Sequence, residues 1–150
     1  MNRMSIPLTI FAAVLLSATA QAATKAQPGT TLTVVEHAAT DAVTDTGTTG
    51  DTAGDLLTFA NPVFDAANKH QIGTDQGYCI RTEVGKSWEC FWTLTLADGQ
   101  LTVEGPFFDK GDSVLAITGG TGKYAAARGQ MKLHARDEKG TEYDFVYALR

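Results

Sequence analysis

Period-two alternation of apolar and polar residues, broken at short intervals by turn-forming pairs, recurs from Thr31 to Leu149. The clearest case is Ser87–Leu96, where Trp88, Cys90, Trp92, Leu94 and Leu96 share one face. Alternation of that period fits a half-buried strand and not a helix, whose apolar positions recur every three to four residues. Further strands are predicted over Thr31–Ala38, Asp55–Ala60, Thr74–Val84, Gln100–Phe108, Ser113–Thr118, Gly129–Asp137 and Thr141–Leu149. Gly85-Lys86 and Asp98-Gly99 mark hairpin turns. Asn61-Pro62 ends the second strand, Val63–His70 reads as a loop or one helical turn, and Asp41–Gly54 reads as a long mobile loop. No amphipathic helix of useful length interrupts the series. The pattern is all-β, a sandwich or a barrel. Strands joined in sequence order by tight turns favour an eight-stranded antiparallel up-and-down β-barrel, whose interior holds one small apolar ligand.

The chain has 150 residues, enough for one domain with a core, and a formal charge of −5 with no cluster of bases. A phosphate-binding surface needs a stripe of Lys and Arg, so no nucleic-acid partner is expected. Residues 1–22 fall outside the barrel pattern. Arg3 precedes an apolar run, Ile6–Leu16, and Ala20-Gln21-Ala22 is a small-x-small cleavage site. This is the organisation of a signal peptide. The run is shorter than the ~20 residues a spanning helix needs. The expected division is a signal peptide at 1–22, a polar lead-in at 23–30 and the barrel at 31–150. A secreted or periplasmic protein, with no membrane partner after cleavage, follows.

Export bears on Cys79 and Cys90, the only cysteines. An even count in an oxidising compartment favours a disulfide. If Thr82 faces Ser87 across the hairpin, Cys79 faces Cys90. A two-residue turn at Gly85-Lys86 instead sets Cys79 opposite Trp92, one diagonal from its partner.

Several chemistries can be weighed on the residues alone. Thr118-Gly119-Gly120-Thr121-Gly122 follows a strand as a dinucleotide loop does, but a strand and not a helix comes next. Lys123 is followed by Tyr124, so the P-loop also fails. The segment is a shaped bend between two strands. His37, His70 and His134 are scattered, and no metal is expected. No serine sits in a G-x-S-x-G elbow. Glu36 stands out, because it shares a face with Leu32 and Val34. It is either a rim group in water or an interior acid whose desolvation raises its pKa and suits it to proton transfer or to steadying a cation.

Four segments resemble the allene oxide cyclase and dirigent barrels. Gly54-Asp55-Leu56-Leu57-x-Phe59-x-Asn61 is similar to the cyclase run Gly-Asp-Leu-Val-x-Phe-x-Asn. Gly73-x-x-Gln76-Gly77-Tyr78-Cys79 combines a dirigent signature with the cyclase cysteine. Val103-Glu104-Gly105-Pro106 resembles a cyclase segment, and Ile117–Gly129 is similar to both families. The resemblance implies an eight-stranded barrel with an apolar cavity, assembled as a homotrimer or a homodimer. Plant cyclases close an unstable fatty-acid epoxide, and dirigent proteins steer phenolic intermediates. For this chain it implies a small hydrophobic or phenolic ligand and no organic cofactor or metal. It also implies either a cyclase or isomerase activity or a non-catalytic scaffold or carrier. By the same likeness Glu36 and Cys79 are candidate catalytic residues, and Asn61 and Phe107 candidate substrate-binding residues. The chain departs from the pattern in three places. Ala38 replaces a family asparagine, Phe107 replaces a cavity tyrosine, and the family Ser-Pro has no counterpart. The set that holds a water in the cyclases is therefore incomplete.

Overall fold

The computed structural model describes residues 29–150. The expected signal peptide and residues 23–28 of the lead-in lie outside them. The described strands are β1 (Thr30–His37), β2 (Ala42–Thr44), β3 (Leu56–Asp65), β4 (Gln71–Glu83), β5 (Ser87–Leu96), β6 (Gly99–Phe108), β7 (Ser113–Gly120), β8 (Gly129–Ala135) and β9 (Glu142–Leu149). One 3₁₀ turn covers Gly122–Tyr124.

Each strand pairs antiparallel with its neighbour in the order β1-β9-β8-β7-β6-β5-β4-β3-β2, and β1 also pairs with β3. That last pairing closes an eight-stranded barrel, the architecture expected from the alternation. β2 is a three-residue addition on the β3 edge, where Val43 faces Leu57. It lies inside the segment read from sequence as a mobile loop, which is thus partly strand.

β3 also runs further than expected. It continues through Asn61-Pro62 to Asp65, so Val63–Asp65 is strand and not loop or helical turn. The reason is local. Ala60 donates its N–H to Thr40 Oγ1 at 2.7 Å, so the nitrogens of Ala60 and, two residues on, Pro62 face the seam with β1 and β2. Between His37 and Ala42 that seam carries no ladder, and proline loses no sheet hydrogen bond there.

The β4–β5 hairpin sets Cys79 opposite Cys90 and Arg81 opposite Trp88, as in the first of the two registers, but Ser87 faces Glu83 and not Thr82. A register shift between Arg81 and Glu83 absorbs the extra residue next to the turn. The cysteines form a disulfide with Cα atoms 4.0 Å apart.

Inward side chains fill one half of the barrel. Val34, Leu94, Val103, Met131 and Tyr147 have no exposed surface. The glycine-rich segment finishes this end. β7 continues through Gly119 and Gly120, two residues beyond the expected strand, before the chain bends. Gly122 adopts φ +56°, and a Cβ there would lie 2.5 Å from the Asp98 carbonyl oxygen. The bend turns Tyr124 inward, where it is buried as a plug.

Candidate functional site

The other half of the barrel is not filled. A narrow slot of about 40 Å³, open at its mouth, lies between Trp92, Phe107, Tyr143 and Phe145, with Glu36 and Asp41 at one side. Aromatic contacts shape its walls. Phe59 meets Trp92 edge-on at 6.0 Å, and Phe107 meets Tyr143 edge-on at 6.1 Å. A wider hollow under the β6–β7 and β8–β9 turns shares Phe107, Leu133 and Tyr143 with the slot and forms its approach.

Glu36 reaches this interior because β1 alternates, and Leu32, Val34 and Glu36 share the inward face. It is 5% exposed. Asn61 Nδ2 donates to Glu36 Oε1 at 2.7 Å and to Asp41 Oδ1 at 2.8 Å. Asn61 Oδ1 accepts from the Ala39 and Thr40 N–H groups at 3.0 and 2.9 Å, and from Thr40 Oγ1 at 3.0 Å. One side chain thus joins β3 to β1, to the segment after β1, and to both acids.

Asp75 stands directly opposite Asn61 across β3 and β4. It is fully buried, and among the described residues neither carboxyl oxygen has a donor. A buried carboxylate without partners is costly. As a carboxylic acid, Asp75 gains a proton that it can share with Glu36. Burial is the main cause that pushes Asp75 up to about 10, and the charge of Glu36 adds to it. Glu36 is raised to about 7, again chiefly by burial. The Asn61 hydrogen bond opposes that rise, the charge of Asp41 adds to it, and bonding to Asp75 opposes it. At neutral pH the pair is a neutral acid beside a carboxyl near its midpoint. That arrangement can give, take or hold a proton, and it presents negative charge to the slot.

Among the described residues three more buried polar atoms have no hydrogen-bond partner, the Tyr147 hydroxyl, Trp92 Nε1 and Arg81 Nε, the last of which lies in an ion pair with Asp51. Burial also raises the Tyr147 hydroxyl, and the charge of Asp75 adds to the rise.

The four residues singled out from the sequence do not all meet. Glu36, Cys79 and Phe107 line the slot. Asn61 does not. It has no exposed surface and stands behind Glu36, anchoring it. Cys79 lines the wall as half of the Cys79–Cys90 disulfide and carries no thiol. Asp75, Asp41 and Tyr143 complete the polar set and were not among the expected site residues. Asp75 was legible, since it lies two steps of two from Cys79 on the same strand face. Asp41 follows no periodicity, and only folding brings it to Asn61.

The inward cation on β4 is engaged elsewhere. Arg81 is 8% exposed. Its NH1 donates to both Asp109 oxygens at 2.7 and 2.9 Å, and its Nε lies 2.6 Å from Asp51 Oδ1. The guanidinium sits 4.0 Å above the Trp88 ring.

The family profile described as Allene oxide cyclase matches residues 34–136. Among solved structures, the chain is similar to one described as pyocyanin demethylase, at 25% identity and TM-score 0.68, covering 79% of this chain and 100% of that one. It is also similar to the pterocarpan synthase dirigent protein PsPTS1, at 18% identity and TM-score 0.66, covering 81% and 96%. The Diels Alderase AbmU from Streptomyces koyangensis matches at 15% identity and TM-score 0.62, covering 81% and 69%. The last two likenesses concern the fold alone.

Proposed function

This chain belongs to the allene oxide cyclase family, and we propose that its barrel is an exported chamber for one small, flat, apolar or phenolic molecule. In this reading Glu36 moves a proton or steadies developing positive charge on that molecule, as in a cofactor-independent cyclase or isomerase. The observation that carries the reading is a buried carboxyl held near neutrality at the side of an aromatic slot. A proton-transfer group works best with its pKa near the working pH. The aromatic walls supply orientation, and the fixed charge acts in a water-poor site where it is strongest. Asp75 supports the role by holding a proton beside Glu36, and Asn61 by fixing its direction. The likeness to a pyocyanin demethylase makes flat aromatic heterocycles reasonable first candidates.

Export is supported by the charged, apolar and small-residue order of residues 1–22 and by the disulfide. N-terminal sequencing of the protein from its host is expected to begin at Ala23. Assembly as a homotrimer or homodimer belongs to the same reading. Exposed Tyr78 and Ile80 on the outer face of β4 support it, and light scattering in solution tests it.

Native mass spectrometry of protein purified from its own host tests the chamber. A retained small molecule is expected, and a protein that carries none and binds no aromatic probe overturns the reading. With the molecule in hand, Glu36→Gln is expected to lower turnover by about 10²–10⁴-fold while binding persists, the range for loss of a general acid or base. Unchanged turnover moves the conclusion to a non-catalytic scaffold or carrier.

A further inference from the structure

We infer that the slot selects its ligand by charge, favouring flat aromatic cations and nitrogen bases and rejecting aromatic carboxylates. The inference deepens the reading of the slot as a ligand chamber and rests on it. Its basis is an asymmetry in the lining. Two acids, Glu36 and Asp41, reach the slot together with five aromatic rings, Phe59, Trp92, Phe107, Tyr143 and Phe145, and among the described residues no basic side chain lines it.

Each part of the lining acts in the same direction. Ring faces attract cations through their quadrupoles, and the attraction grows when water is excluded. A carboxylate at short range acts more strongly in a partly buried site than in water. An anionic ligand would lose its hydration and meet Glu36, Asp41 and ring faces, with no donor cation in reach. Among the described residues the inward cation nearby, Arg81, is already committed to Asp51 and Asp109. The approach does not reverse the field. Its rim carries Asp109, Asp137 and Glu138 against the exposed Lys110 and Lys139.

The groups that face Glu36 also define how the preference varies with pH. Asp41 adjoins it through Asn61, Asp75 stands opposite Asn61 on β4, and Tyr143 lies opposite on β9. Tyr143 is pushed up to about 12 by burial and by the charge of Glu36, so it stays neutral. Asp75 keeps its proton until well above neutrality. Glu36 is therefore the buried group whose charge changes between mildly acid and mildly alkaline solution.

Three bicyclic probes of like size test the inference by isothermal titration calorimetry: N-methylquinolinium, 2-naphthol and 2-naphthoate. At pH 8 the cation is expected to bind at least about tenfold more tightly than the anion, a ratio in the range of one desolvated cation–π or ion contact. At pH 5.5, with Glu36 protonated, that ratio is expected to shrink severalfold. Glu36→Gln should shrink it likewise at pH 8 while 2-naphthol affinity stays within about threefold, since glutamine keeps an oxygen for Asn61. The wild-type pH comparison stands even if the variant does not fold. If 2-naphthol binds but 2-naphthoate matches the cation at pH 8, charge selection is wrong and the chamber survives. The same holds if the cation preference ignores both pH and Glu36→Gln. If no probe binds, the chamber reading falls with it.

Discussion

Glu36 and Asp75 turn a local burial problem into a pH dependence of the whole barrel. Both bind protons more tightly folded than unfolded, so the stability they contribute is fully present below their ordinary carboxylate range. It is lost as pH rises through their folded values. Between about pH 4.5 and 7 both groups hold extra protons in the folded state, and between about 7 and 10 only Asp75 does. Each such proton contributes a slope of about 1.4 kcal/mol per pH unit. Unfolding free energy from urea titrations is therefore expected to fall as pH rises from 5 to 9, more steeply below 7 than above. Asp75→Asn is expected to remove most of the slope above pH 7. A wild-type curve flat from 5 to 9 would mean that the two carboxyls are not desolvated as described. The acids stabilised by hydrogen bonds, such as Asp55 and Asp137, have lowered values and act only below this window.

At the scale of elements, the decisive join is the seam where β1 stops and β2 begins along the edge of β3. The ladder is missing there, and Asn61 replaces it with five side-chain hydrogen bonds. Pro62 tolerates its place in β3 for the same reason, because its nitrogen faces the missing ladder. Asn61→Ala is expected to cost about 2 kcal/mol in urea unfolding, the scale for removing a buried polar hub whose partners can partly turn to water. It should also speed amide exchange at Ala39 and Thr40. Because the Asn61 donor opposes the rise in the Glu36 pKa, the same variant should raise that pKa further, read by carbon NMR of the glutamate carboxyl. If exchange at Ala39 and Thr40 is unchanged, Asn61 does not organise the seam.

For the molecule as a whole, closure and cross-linking set the stability. The pairing of β1 with β3 joins the two ends of the eight-stranded sheet into a barrel. Arg81 ties the segment after β2 to the β6–β7 turn through Asp51 and Asp109, so the slot end is held together by charge as well as by sheet. The Cys79–Cys90 bridge closes a short loop, with a sequence separation of 11. Loop-closure entropy for that length corresponds to about 3 kcal/mol, on a model in which the cross-link mainly restricts the unfolded chain. The double variant Cys79→Ala, Cys90→Ala is expected to lower unfolding free energy by about that amount. Added dithiothreitol should move wild type towards the variant and leave the variant unmoved. A variant as stable as wild type would show that the bridge restrains nothing.

Much of this architecture was legible in the sequence because alternation is a local signal. The side chains of Ser87–Leu96 fall on two faces whatever surrounds them, and the same holds for Leu32, Val34 and Glu36. Strand type and order, the closed eight-stranded form, and the pairing of Cys79 with Cys90 as one of two registers therefore followed from spacing and turns. The Asn61-Pro62 break did not survive, because whether proline ends a strand depends on whether its nitrogen faces a partner, and that partner belongs to a distant part of the chain. The acid pair was only half legible. Periodicity sent Glu36 and Asp75 inward, but their coming together required β1, β3 and β4 to become neighbours, and their raised pKa values arise chiefly because burial removes water from both. Asp41 and the missing strand ladder were decided wholly by the fold. Sequence determined which residues face in, since that depends on the nearest bonds. The tertiary structure decided which of them touch and what charge they carry, since those depend on solvent exclusion by strands far apart in the chain.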